Sequence, residues 1–316
     1  MLKVANFTWM GVVKGLCSIV IPTFNRSDKC LRAIDSCLNL ITYGYEVEVV
    51  VVDDGSTDQT KTRIDELADS RVVYFYQNNS GASAARNLGV DRAKGDFILF
   101  LDSDDVFFKD RLKVVSENHE FIKNGGVVFC RIGISYKGTF GSYDQVKPSR
   151  RFAGEELSEY LFYRDGFIST PSIVLSKAAA NSVRWNESLS YGDDSDYMMA
   201  LSSAGLEFKM VDEVLVWVDD CHLDGRLSLA KDPDSVLVWF EQNKNRMTPL
   251  ARVSYQAKHL SYHVFNKKPV LCFFYLFRGL ICGCYGPVDF LKYLLRSILP
   301  VSVYKGLVKK VWRLKS

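Results

Sequence analysis

Short apolar runs alternate with helical repeats along the first hundred residues. Residues 17–21, 46–52, 72–76 and 97–101 are rich in β-branched and aromatic types, as buried strands are. Between them, Leu31, Ala33, Ile34 and Leu38 fall at helical spacing, and Ser27 or Asp28 can cap that helix. Residues 59–68 read as a second helix with Ser56, Thr57 and Asp58 in capping reach. The small residues of Gly81-Ala82-Ser83-Ala84-Ala85-Arg86-Asn87-Leu88-Gly89 open a third, able to pack close to a ligand. This order predicts an α/β fold: a mostly parallel, Rossmann-like sheet with helices on both faces. After Lys109 the alternation loosens. Strands are expected over 127–134 and 168–175, with a polar, glycine-bearing loop at 135–151.

In open parallel sheets ligands bind outside the C-terminal ends of the strands. Three strand ends carry polar clusters there: Thr23/Asn25, Asp53/Asp54 and Asp102/Asp104. The last is the sharpest. Phe97-Ile98-Leu99-Phe100-Leu101 delivers Asp102, Ser103, Asp104 and Asp105 to one tip. Carboxylates crowded at a buried edge repel and are costly to desolvate. A hard divalent cation holding a phosphate would offset that cost; an acidic N-cap is the plainer reading. A second acidic cluster, Gly192-Asp193-Asp194-Ser195-Asp196, stands at the mouth of an amphipathic helix.

No phosphate loop, dinucleotide fingerprint, nucleophile elbow or His-Glu-x-x-His competes with these clusters. The eight scattered cysteines form no Cys-x-x-Cys pair, which argues against zinc and for a reducing, cytosolic compartment. Residues 1–15 lack a signal-peptide pattern.

Charge changes the picture at the C-terminus. The total is +3, yet Lys267 to Ser316 holds ten basic residues against Asp289, a local +9 that leaves −6 for residues 1–266. An acidic body argues against nucleic acid. A run at 270–277 is apolar but far short of the roughly 20 residues that span a bilayer. Tyr304, Leu307, Val308, Val311 and Trp312 then fall on one side of a helix, with Lys305, Lys309, Lys310 and Arg313 on the other. Such a helix suits an anionic membrane surface; docking on the catalytic domain or in a homodimer is the alternative.

Five motifs together resemble the family 2 glycosyltransferases, which use the GT-A fold. They are Ser18-Ile19-Val20-Ile21-Pro22-Thr23-Phe24-Asn25-Arg26, Val51-Val52-Asp53-Asp54-Gly55-Ser56-Thr57-Asp58, Ala84-Ala85-Arg86-Asn87-Leu88-Gly89, Phe100-Leu101-Asp102-Ser103-Asp104-Asp105 and Gly192-Asp193-Asp194-Ser195-Asp196. They come in the family's order over about residues 16–225. The last departs slightly, with Asp193-Asp194 where the family more often has Glu-Asp; the charge is kept.

The resemblance implies a GT-A catalytic domain over 1–225, its nucleotide-sugar half at about 16–110 and its acceptor half at about 111–225. Residues 226–316 would form a basic helical region, peripheral on the inner face of the cell membrane. Pro22, Thr23, Asn25, Arg26, Asp53, Asp54, Arg86, Asp102 and Ser103 would bind the nucleotide. Asp102, Asp104 and His222 would hold Mn2+ or Mg2+, and Asp194 would be the catalytic base. Trp185, Thr170, Asp193 and Arg226 are candidates for the sugar or acceptor pocket. The implied reaction moves a sugar, with inversion, from a nucleotide-diphosphate sugar (UDP expected) to a glycan or lipid-linked hydroxyl, as in surface-polysaccharide synthesis. The alternatives are transfer to a lipid phosphate and nucleotide-sugar binding without turnover.

Overall fold

The computed structural model describes residues 13–189, 191–221, 233–299 and 303–304. Contacts divide the chain into two compact units. One comprises Met1–Gly154, Ile168–Ser188 and Asp193–Asp224; the other comprises Glu155–Phe167, Leu189–Gly192 and Gly225–Ser316.

The first unit opens as the periodicity predicts. Strand β1 (Leu16–Thr23) leads to α1 (Ser27–Leu38), β2 (Glu46–Asp53) to α2 (Thr60–Asp65), β3 (Val72–Tyr76) to α3 (Ala82–Arg92), and then comes β4 (Phe97–Phe100). These four strands are parallel, in the order β3-β2-β1-β4. Successive side chains on a strand face opposite ways, so Ile19, Ile21, Val49, Val51 and Leu99 pack with Cys30, Ala33, Ile34 and Cys37 of α1. Val20 faces α3, where Gly89 lets the helix approach closely. A Cβ at Gly89 would sit 2.3 Å from Val20 Cγ1.

Beyond β4 the sheet changes direction. A two-residue strand β5 (Val106–Phe107) is followed by α4 (Lys113–Glu117), α5 (His119–Lys123), β6 (Val127–Ser135), β7 (Gln145–Lys147), β8 (Ile173–Ser176), α6 (Lys177–Ser182), α7 (Asp193–Ser203) and β9 (Phe208–Asp219). The sheet continues β4-β8-β6-β9-β5, with β7 on β6. β8 is antiparallel to both β4 and β6. The strand expected at 168–175 therefore begins only at Ile173, because Thr170–Ser172 closes a tight turn around Pro171. The expected loop at 135–151 contributes β7, and β9 was not signalled at all.

The second unit is helical: α8 (Pro233–Asn243), α9 (Pro249–Tyr255), α10 (Ser261–Val264), α11 (Pro269–Ile281) and α12 (Pro287–Ile298). Its centre is aromatic. Phe162 packs edge-on against Trp239 and Tyr255, and Tyr255 stacks on Phe240 and His259. A buried amine, Lys258 Nζ, donates to Tyr163 O at 2.9 Å and pairs with Asp165 at 2.8 Å. No helix among the described residues is long and apolar enough to cross a membrane.

Candidate functional site

Strand register assembles the site in the first unit. Thr23 is paired with Asp53, and Phe100 with Val20, so the turns leaving β1, β2 and β4 emerge along one rim. Asn25 sits in the left-handed region at φ 50°, a conformation Asn tolerates better than most residues. It ties two of those turns together. Its amide donates to Ser56 Oγ at 2.8 Å, and its Oδ1 accepts from the Thr57 amide at 2.8 Å.

The two carboxylates at the end of β2 are turned into the protein. Asp53 accepts from the Ser56 amide and the Tyr74 hydroxyl, each at 2.7 Å. Asp54 accepts from Gln77 Nε2 at 2.6 Å, the Ser80 amide at 2.7 Å and the Gly81 amide at 2.8 Å. Asp54 thereby fixes the approach to α3. Pro22, Thr23 and Ser103 are buried.

The acidic tip of β4 meets two arginines. Arg26 Nη1 pairs with Asp104 Oδ2 at 2.9 Å. Arg86, carried inward by α3, is buried. It donates Nη2 to Asp102 Oδ1 and Nη1 to Asp193 Oδ2, both at 2.8 Å. One guanidinium therefore joins the turn after β4 to the start of α7. Burial works against its charge, but Asp102, Asp193 and Asp194 together raise its proton affinity above the ordinary value. Its Cζ lies over the Trp185 ring, 4.6 Å from the centroid. Trp185 is buried, stacked on Tyr197 at 4.0 Å, so it supports Arg86 from the core.

Asp194 is half-buried beside this bridge. Its Oδ1 accepts a short hydrogen bond from Thr170 Oγ1. Burial raises its pKa from 3.8 to about 7, reinforced by Asp193 and Asp102 and opposed by Arg86 and by the Thr170 bond. A carboxyl group that titrates near neutrality can hold or release a proton at working pH.

Side chains without an assigned role complete the arrangement, Asp105 of the acidic tip among them. Arg32 of α1 donates to the Asp104 main-chain oxygen at 2.8 Å and to Asp219 at 3.1 Å. Asp105 is buried and accepts from the Asp219 amide at 3.3 Å. Arg111 is buried and donates to the carbonyls of Ser172 and Ile173 at 3.0 and 2.9 Å. It thereby holds the turn that presents Thr170. His222 and Arg226, and most of the basic helix expected from Tyr304, lie outside the described residues.

The donor set fits a hard divalent cation in one way. Among the described residues no three carboxylate, imidazole or thiolate side chains form a cage. Asp102 and Asp104 keep side-chain exposures of 34% and 22%, and each ion pair engages one carboxylate oxygen. Two partly open carboxylates suit Mg2+ or Mn2+, which complete their shell with water and substrate phosphate.

Known proteins resemble the chain in sequence and in fold. The family model described as Glycosyl transferase family 2 matches residues 18–184. The amylovoran biosynthesis glycosyltransferase AmsB of Erwinia amylovora is 29% identical over 257 residues, covering 77% of this chain and 82% of that protein. Longer uncharacterised glycosyltransferases of Rickettsia felis and Rickettsia bellii also match, and the chain spans 30% and 26% of their lengths. Among solved structures, S. aureus TarS 1-349 in complex with UDP-GlcNAc superposes with a TM-score of 0.56 at 18% identity, covering 94% of this chain and 91% of that one. The mannosyltransferase PcManGT of Pyrobaculum calidifontis, in complex with GDP-Man and Mn2+, gives 0.60 at 15% identity, covering 93% and 83%. These likenesses show the GT-A fold, and with the family model matched over more than half of its length, the chain belongs to the family 2 glycosyltransferases.

Proposed function

We propose that this glycosyltransferase moves a sugar, with inversion, from a nucleotide-diphosphate sugar to a hydroxyl of a glycan or lipid-linked acceptor. The observation that carries the reading is the bridge Asp102–Arg86–Asp193 with Asp194 beside it. It sets a carboxyl group of near-neutral pKa next to the rim where a parallel sheet takes its ligand.

A side chain's position supports each proposed role. Arg26 and Arg86 supply fixed positive charge for a diphosphate. Asn25, Asp53 and Asp54 shape the nucleotide side through the loops they hold. Asp102 and Asp104 would hold Mn2+ or Mg2+, which as a Lewis acid offsets charge on the departing diphosphate. Asp194 takes the proton from the acceptor hydroxyl, a weak nucleophile until it is deprotonated. Asp194 on α7 and Asp104 after β4 belong to different elements, as attack from the face opposite the leaving group requires.

UDP is the proposed donor nucleotide, supported by the TarS complex, although the PcManGT complex contains GDP-Man. Surface-polysaccharide synthesis as the setting is supported by AmsB. A catalytic region over 1–225, a C-terminal region over 226–316 and a peripheral position on the cytoplasmic membrane face complete the reading. The test is a thermal-shift panel of nucleoside diphosphates with and without Mn2+, followed by transfer assays on Asp194→Asn. A metal-dependent shift with UDP, lost in Asp104→Ala, and binding without transfer in Asp194→Asn are expected. Unchanged transfer in Asp194→Asn removes the proposed base. Donor binding with no turnover in the native protein favours a binding protein.

A further inference from the structure

The helical unit carries an apolar surface that the described fold leaves uncovered. On α11, Cys272, Leu276 and Gly279 face inward. On the opposite side Val270, Phe273, Phe274, Phe277 and Ile281 recur at i, i+3, i+4, i+7 and i+11, with exposures from 37% to 83%. The helix thus has two apolar stripes, and only one is buried. α12 repeats the pattern with Val288 and Leu291 exposed, while its Phe290 packs on Phe277 at 5.1 Å. Nine of the nineteen exposed large hydrophobics among the described residues fall between Val270 and Val303, so such exposure is concentrated in this segment.

Charge selects the occupant. Lys267, Lys268, Arg278, Lys292 and Arg296 accompany the two helices; Lys267 pairs with Asp234 at 2.9 Å and Lys292 with Asp289, which leaves Lys268, Arg278 and Arg296 as the excess. A symmetric contact with a second copy would bring together two segments that each carry +9 between Lys267 and Ser316. Anionic lipid headgroups offset that charge, and the acyl boundary takes up phenylalanine and isoleucine. α11 has 13 residues, too few to span a bilayer, so it would lie in the interface plane. We propose that α11 and α12 dock the protein on an anionic bilayer, with the exposed stripe of α11 inserted below the headgroups. This rests on the peripheral membrane placement above and assigns the insertion to α11 and α12, whereas the sequence pointed to the basic helix that begins at Tyr304.

The test is co-sedimentation of the full chain with vesicles of phosphatidylcholine alone or equimolar with phosphatidylglycerol. The native protein should pellet with the anionic vesicles and remain in solution with the neutral ones. The double variant Phe274→Glu/Ile281→Glu alters exposed positions, so its melting temperature should hold while its partitioning falls by at least about tenfold. If that variant binds like the native protein while Lys309→Glu/Lys310→Glu does not, membrane placement stands and this surface is wrong. If the native protein never pellets, both ideas fail. If it is instead a dimer that the double variant makes monomeric, the face is a self-association surface and the proposal falls. Loss of the nucleotide-induced thermal shift would bear on the catalytic reading alone, because neither variant touches Asp102, Asp104 or Asp194.

Discussion

Arg86 holds two carboxylates with one buried guanidinium, and its geometry makes lysine a poor replacement. A planar fork can address Asp102 and Asp193 at once, whereas an ammonium is a point charge on a flexible stem. Arg86→Lys should lower transfer at least about tenfold, and Arg86→Met, which leaves the carboxylates facing one another, should cost about 3 kcal/mol in denaturant unfolding. Asp194 makes a second residue-scale prediction. Its pKa rises from 3.8 to about 7 in the folded protein. The folded chain therefore keeps a proton that the unfolded chain has lost across that window. Stability should decline as pH rises from about 4 to 7, and Asp194→Asn should flatten the slope. Transfer should rise with pH through the same region, since the base must be ionised. The Thr170 hydroxyl favours the ionised form while Asp193 and Asp102 oppose it and Arg86 assists it. Thr170→Val should therefore move the rising limb of the pH–rate profile to higher pH.

Elements differ in how openly the sequence announced them. The four parallel strands were legible because each is an apolar run followed by a helical repeat. β9 was not, because Asp212 and Glu213 interrupt its apolar positions near a bulge in its pairing with β6, which breaks the alternation of faces. β5, with two residues, and β7, with three, are too short to carry a period. The aspartates of the site were legible because charge at the end of a buried run is conspicuous. Arg111 was not, since Lys109-Asp110-Arg111 reads as surface until a turn some sixty residues away supplies its carbonyl partners. The close approach of α3 to β1 can be probed directly. Gly89→Ala puts a methyl group against Val20, and overpacking of this kind costs about 1–3 kcal/mol, measurable by calorimetry.

At the scale of the molecule, the thiols report how the chain is sorted between interior and surface. Cys17, Cys30, Cys37 and Cys130 all belong to the core cluster under α1, and burial pushes Cys17 and Cys30 up to about 12. Thiols held so far from ionisation are poor nucleophiles. Alkylation of the native protein should mark Cys282, which is exposed, and should reach the four core thiols only after unfolding, as mass spectrometry of the adducts would reveal. The uncovered stripe of α11 ends at Ile281, one residue before that exposed thiol. A reagent on Cys282 thus reads the occupancy of the stripe. Whatever covers the phenylalanines should slow the labelling of one sulfur, which turns an incidental cysteine into a built-in footprinting probe.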